Sequence, residues 1–194
     1  MRIIFSSKFN RETAYILPGE YYISDEYIIN TLLGSCVAVV LYSDKHKTGG
    51  MNHFMLPSVA DPVAATRSDA GRYGIYAMEL LVNGLLKRGI RKDELKAKVF
   101  GGGRVIVTSN DTIDHIGTKN VDFVLNYLKE ERIPVVSKDV GGENGRKVFF
   151  FPWSGKVLVS NIISSREVAE EEKRYISFIK KDKEQKKIIL FDQD

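Results

Sequence analysis

A chain of 194 residues that is 43% hydrophobic and 10% aromatic has the apolar content of a globular core, which argues against disorder. No apolar run approaches the roughly 18–20 residues of a membrane span, and a single cysteine excludes an internal disulfide. The formal charge of +4 resides in the body, because residues 166–194 carry eight Lys/Arg and eight Asp/Glu; without an RNA-binding motif or basic block in that body, a solvated surface is expected and not a nucleic-acid partner.

The opening stretch MRIIFSSKFN has only a short apolar burst, too brief for a secretory h-region, so the reducing cytoplasm is the expected location. Residues 21–30, YYISDEYIIN, mix aromatic and β-branched residues and predict a strand or the approach to one. Residues 36–42, CVAVVLY, are apolar throughout, as suits a central strand buried on both faces. The turn-rich SDKHKTGG and then MNHFML complete a β-hairpin, which Pro57 closes. A polar loop precedes residues 72–88, whose apolar positions 75, 78, 81, 82, 85 and 86 have helical spacing and whose stop is Gly89.

KAKVF (96–100) predicts a strand ending at Gly101–Gly103, with RVIVT (104–108) continuing or pairing with it. A second helix follows from IGTKN, with Val121, Val124, Leu125 and Leu128 on one face. IPVVSKDV, RKVFFFPW and KVLVSNII predict three more strands. The expected fold class is therefore α/β: mixed strands, in one sheet system, with packed helices. Ser164 and Glu167 form a capping-box pattern opening a charged C-terminal helix, so the expected division is a domain over 1–163 and a helical extension over 164–194. That extension is either a surface helix laid on the domain or a docking arm ending in the apolar IILF.

Cys36 heads the buried strand behind Gly34 and Ser35, which leave little side-chain bulk on that side of the sulfur. If the hairpin turn is residues 44–47, with Ser43 facing Thr48, Ala38 lies opposite His53 and Cys36 opposite Met55. Cys36 and His53 are then diagonal neighbours on one face, roughly 7–8 Å apart at the backbone. A slip of one residue separates them to opposite faces. An unperturbed thiol is only about 3% thiolate at pH 7; a neighbouring imidazolium stabilises the thiolate and can later protonate the leaving group. His53 reads equally well as a core histidine. His46 lies at the polar turn and His115 precedes the second helix; one cysteine and three scattered histidines match no zinc spacing, so no metal is expected. Neither FGGGR (100–104) nor DVGGENGR (139–146) is a P-loop or a dinucleotide fingerprint; they are tight turns, or else N–H donors bordering a cleft.

The segments TLLGSCVAVVLY, GGMNHFMLP, YAMELLVNGLLKRG, AKVFGGG, IGTKNVDFVLNYL and IPVVSKDVGGENGRKVFFFPWSGKVLV, in that order over roughly residues 20 to 160, resemble the CheD family of chemoreceptor glutamine deamidases. The resemblance implies a fold related to papain-like and cytotoxic-necrotizing-factor-like cysteine hydrolases, and conversion of selected glutamines to glutamate on the cytoplasmic bundle of chemotaxis receptors. It makes Cys36 the nucleophile and His53 the catalytic histidine, without a cofactor. The family's third residue is a threonine shortly before the cysteine: Thr31 here, with Asn30 the alternative because that spacing varies by one. It also implies a receptor methylesterase side activity and a second role as a binding module for a CheC-type response-regulator phosphatase. A generic cysteine amidase or peptidase is the remaining reading.

Overall fold

The structure, a computed structural model, describes residues 1–56, 69–104 and 116–162, with Glu170, Arg174 and Ser177 as isolated helical, exposed positions. The expected strand at 104–108, His115 and the helix expected over 164–194 lie outside the described residues, apart from Arg104 and those three positions.

Ten strands, β1 (Arg2–Ser6), β2 (Arg11–Tyr15), β3 (Tyr21–Ser24), β4 (Ile28–Leu33), β5 (Val37–Ser43), β6 (Thr48–Phe54), β7 (Lys96–Gly101), β8 (Val135–Val140), β9 (Gly145–Phe151) and β10 (Lys156–Ile162), accompany the helices α1 (Asp69–Leu86) and α2 (Ile116–Glu130). They form two five-stranded sheets, ordered β1-β2-β4-β9-β10 and β3-β6-β5-β7-β8, where the sequence suggested one sheet system. The chain changes sheet at Asp25–Glu26. There the Ser24 hydroxyl accepts hydrogen bonds from the N–H groups of Glu26 and Tyr27 at 3.0 and 2.8 Å, so the expected strand over 21–30 becomes two.

The second sheet is the middle of three layers. Val37, Val39 and Leu41 of β5 face Met78, Leu81 and Leu85 of α1 and Val121, Val124 and Leu128 of α2. The alternate residues Ala38, Val40 and Tyr42 face Ile29, Leu33, Val148 and Phe150 of the first sheet. Strand β5 is buried at every position, which is why it reads as a continuous apolar run and not as an alternating one. Each fully buried aliphatic side chain in these two interfaces contributes about 2 kcal/mol.

Helix α1 stops where expected. Gly89 has φ +82°, its N–H donates to Leu86 O at 2.9 Å, and Ile90 N–H reaches back to Leu85 O at 3.4 Å, with both apolar side chains in the helix-side core. Helix α2 ends in the same motif, but Arg132 (φ +56°) occupies the left-handed position.

Candidate active site

The β5–β6 hairpin pairs Ser43 with Thr48 and Ala38 with His53, the register that a turn at 44–47 requires. Directly opposed residues share a face, so His53 lies on the Ala38 side, between the two sheets. Cys36, one residue before β5, belongs to the same inter-sheet cluster as Ala38 and Met55. The thiol is wholly buried and the imidazole is 1% exposed. The backbone of His53 is pinned as well: its N–H donates to Glu20 O at 2.9 Å, and its carbonyl accepts from Gly19 N–H at 2.7 Å.

Strand β4 brings the third group. Ile29 and Leu33 point into the inter-sheet core, so Thr31 between them points inward too. Its hydroxyl lies 2.7 Å from Ile16 O and 2.7 Å from Nδ1 of His53. A hydroxyl has one proton, and the Ile16 carbonyl can only accept it; Oγ1 must therefore accept from Nδ1–H. That fixes the tautomer with the Nε2 lone pair exposed to the site. Asn30 points the other way, its amide 3.5 Å from Ala14 O. Of the two sequence candidates, Thr31 and not Asn30 touches the imidazole.

Burial pushes the His53 imidazole down to about 3, partly offset by the nearby Ile16 carbonyl. His53 is thus a neutral base at pH 7. Nε2 is buried and has no hydrogen-bond partner among the described residues. A buried orphan acceptor costs about 1–3 kcal/mol, and such groups mark places where a reacting partner belongs. Tyr73 of α1 packs against both core clusters, and its phenol is pushed up to about 12, first by burial and then by the Cys36 sulfur. It remains an O–H donor bordering the thiol.

The Cys36 loop is held through its carbonyls. Gly102 N–H donates to Cys36 O at 2.8 Å, Gly103 N–H to Gly34 O at 2.7 Å, and Asn120 Nδ2 to Ser35 O at 2.8 Å. The 100–104 glycines therefore spend these donors on the loop that carries the cysteine, and the reading of them as a cleft-side carbonyl receptor is corrected. The second glycine loop braces the first: Gly141 N–H bonds Gly101 O at 2.9 Å, and Arg104 N–H bonds Gly142 O at 2.8 Å. Buried Arg146 clamps it through Asp139 Oδ1 at 2.9 and 3.0 Å and Gly141 O at 2.7 Å.

His46 is an exposed turn residue whose Nε2 lies 3.0 Å from Glu94 Oε2, far in character from the buried cluster. Sequence reasoning missed Tyr73 and Asn120. Tyr73 carries no local signal. Asn120 had one: it is a polar residue beside Val121 and Val124 on the apolar face of α2.

The family described as CheD chemotactic sensory transduction matches residues 55–161. A protein of Dechloromonas aromatica (strain RCB) named probable chemoreceptor glutamine deamidase CheD 1 is 48% identical over 159 residues, covering 81% of this chain and 77% of that one. The similarly named CheD of Methylobacillus flagellatus is 43% identical over 194 residues, covering 97% and 94% of the two chains, and so includes the segments bearing Thr31, Cys36 and His53. A solved Neisseria meningitidis protein of the DUF152 family overlaps at a TM-score of 0.31 and 12% identity, over 63% of this chain and 52% of that one, too loosely to bear on the fold. On the family match and these relatives together, the chain belongs to the CheD family.

Proposed function

We propose that this chain is a chemoreceptor glutamine deamidase, converting receptor glutamine side chains to glutamate with Cys36 as nucleophile, His53 as acid/base and Thr31 orienting His53. The observation that carries the reading is the Thr31–His53 hydrogen bond, which leaves Nε2, without a partner among the described residues, on the face shared with the single cysteine. The relatives' names support receptors as the substrate.

In the resting site the imidazole is neutral, because an isolated imidazolium is disfavoured by burial. His53 Nε2 takes the Cys36 proton as the sulfur attacks the glutamine Cδ, so that the thiolate charge accompanies the imidazolium. The tetrahedral adduct collapses when His53 returns that proton to the nitrogen, expelling ammonia and leaving a thioester. Water, deprotonated by the same Nε2, attacks the thioester; glutamate leaves and the thiol is restored. N–H groups near Cys36 hold the developing oxyanion. The same acyl-enzyme accounts for a methylesterase side activity. A cysteine, an imidazole and an orienting third group are also what relate the site to papain-like and cytotoxic-necrotizing-factor-like hydrolases.

In this reading the catalytic domain is 1–163, with 164–194 as an extension, and it acts on the cytoplasmic part of the receptors. No described helix is long and apolar enough to cross a membrane. A second role, binding a CheC-type phosphatase, draws support from apolar residues on edge strands, Ile4 (50% exposed) and Phe5 (62%) on β1 and Val136 (49%) on β8.

The test is ammonia release from a receptor cytoplasmic fragment compared with unrelated glutamine peptides. Release confined to the receptor supports the reading, and equal release from both returns the chain to a generic amidase. Thr31→Val, nearly isosteric, is expected to lower kcat on the receptor fragment by about 100-fold through loss of ring orientation. Asn30→Ala is expected to stay near wild type, and the reverse order would overturn the role of Thr31.

A further inference from the structure

The site contains a buried amide that the proposed mechanism does not use. Asn120 is 0% exposed, in the first turns of α2. Its Oδ1 accepts the Leu56 N–H at 2.8 Å, and its Nδ2 donates to Ser35 O at 2.8 Å. The two partners fix the orientation of the amide, because the Leu56 N–H can meet only the oxygen and the Ser35 carbonyl only the nitrogen. Ser35 adjoins Cys36 in sequence, and Leu56 lies just beyond His53 on the same segment. One side chain thus ties the thiol's loop to the strand that carries the base. The same end of α2 touches the loop at two further places. Ile116 shares the inter-sheet cluster with Cys36, and Gly117 packs so closely on Gly102 that a Cβ on it would lie 2.5 Å from Gly102 O.

From this geometry we infer that Asn120 is a positioning residue, setting the separation of the Cys36 sulfur and His53 Nε2 by bridging Ser35 and Leu56. The inference rests on the Cys36–His53 reading above. The β5–β6 pairing runs out at Val37 and Phe54, so Ser35 and Leu56 lie beyond it, and only a side chain that holds both bonds ties them together there. A displacement of about 1 Å between reacting groups is enough for a 100-fold loss of rate. The effect belongs in kcat, because Asn120 has no surface with which to touch a receptor.

The experiment compares full-length wild type, Asn120→Ala and Asn120→Asp by kcat and KM on a receptor cytoplasmic fragment, by the pH profile of Cys36 alkylation with iodoacetamide, and by thermal midpoint. Alanine removes both bonds. Ionised aspartate keeps the acceptor for Leu56 but cannot donate to Ser35, and its protonated form can. The expected result is kcat lowered by about 100-fold in both variants with KM within about twofold of wild type. The alkylation midpoint moves to higher pH. The activity of Asn120→Asp relative to wild type recovers as the pH falls, a signature that loss of packing alone would not produce. The inference is overturned by folded variants with wild-type kcat and alkylation profile, by a loss confined to KM, or by activity that follows only the folded fraction. The alkylation readout requires no receptor. Wild type inactive on receptor, with a profile that Asn120→Asp still shifts, would sink the deamidase reading and leave the positioning role standing.

Discussion

His53→Asn is expected to lower receptor deamidation by about 10⁴-fold while making the fold less sensitive to acid. An asparagine amide can replace Nδ1–H as the donor to Thr31 Oγ1, so the orienting contact survives, but nothing stands where Nε2 stood. The stability effect has the opposite sign to the activity effect. Folding depresses the imidazole from 6.5 to about 3, so between those values the unfolded chain binds a proton that the folded chain does not. Stability attributable to neutral His53 is fully present above pH 6.5 and is lost as the pH falls toward 3, at about 1.4 kcal/mol per pH unit within that window. Urea denaturation at pH 6.5 and 5.0, above most carboxylate titration, isolates the contribution. Wild type should lose stability over that interval and His53→Asn should lose about 2 kcal/mol less. Equal losses would mean that the imidazole is charged or hydrated in the folded protein.

Gly101→Ala is the largest expected effect on the fold. Gly101 has φ +106°, where side chains are strained, and a Cβ there would lie 2.2 Å from Cys36 O and 3.1 Å from Val37 Cα. Both obstacles are backbone, at the entry to a strand buried on each face, so neither can rotate aside. Relief requires moving the Cys36 carbonyl, which breaks the Gly102 N–H bond and shifts the thiol. A destabilisation of about 4 kcal/mol, with loss of activity in whatever remains folded, is expected from denaturant titration. Gly141→Ala separates strain from collision: its φ of +74° is also left-handed, but nothing lies within 4 Å of the added carbon. It should cost about 1 kcal/mol. Similar costs at the two positions would show that the Cys36 carbonyl does not confine Gly101.

The hairpin was the most legible part of this site. Turn chemistry at 44–47 and the twofold period of strands are local, and together they put His53 opposite Ala38 before any tertiary contact is known. The choice between Thr31 and Asn30 is not local. It depends on which face of β4 meets the other sheet, and β4 reaches its place by pairing in parallel with β2 and antiparallel with β9, far along the chain. The β1–β2 hairpin is not legible in the sequence, because RIIFS is largely exposed and neither RIIFS nor RETAY shows a clean alternation. The glycines of 100–104 were seen as turns but not as neighbours of Cys36, since that contact is made between β7 and the entry to β5. The helices were legible from their period, down to the Gly89 stop.

The central claim is that Cys36 carries out hydrolysis of receptor glutamine. Mass spectrometry of a purified receptor cytoplasmic fragment, incubated with wild type or Cys36→Ala, tests it most directly. Amide to acid adds about one dalton, so the account predicts that gain at defined glutamines with wild type and none with a folded Cys36→Ala. The same gain with Cys36→Ala, or no gain with folded wild type on a receptor from the same organism, would contradict it.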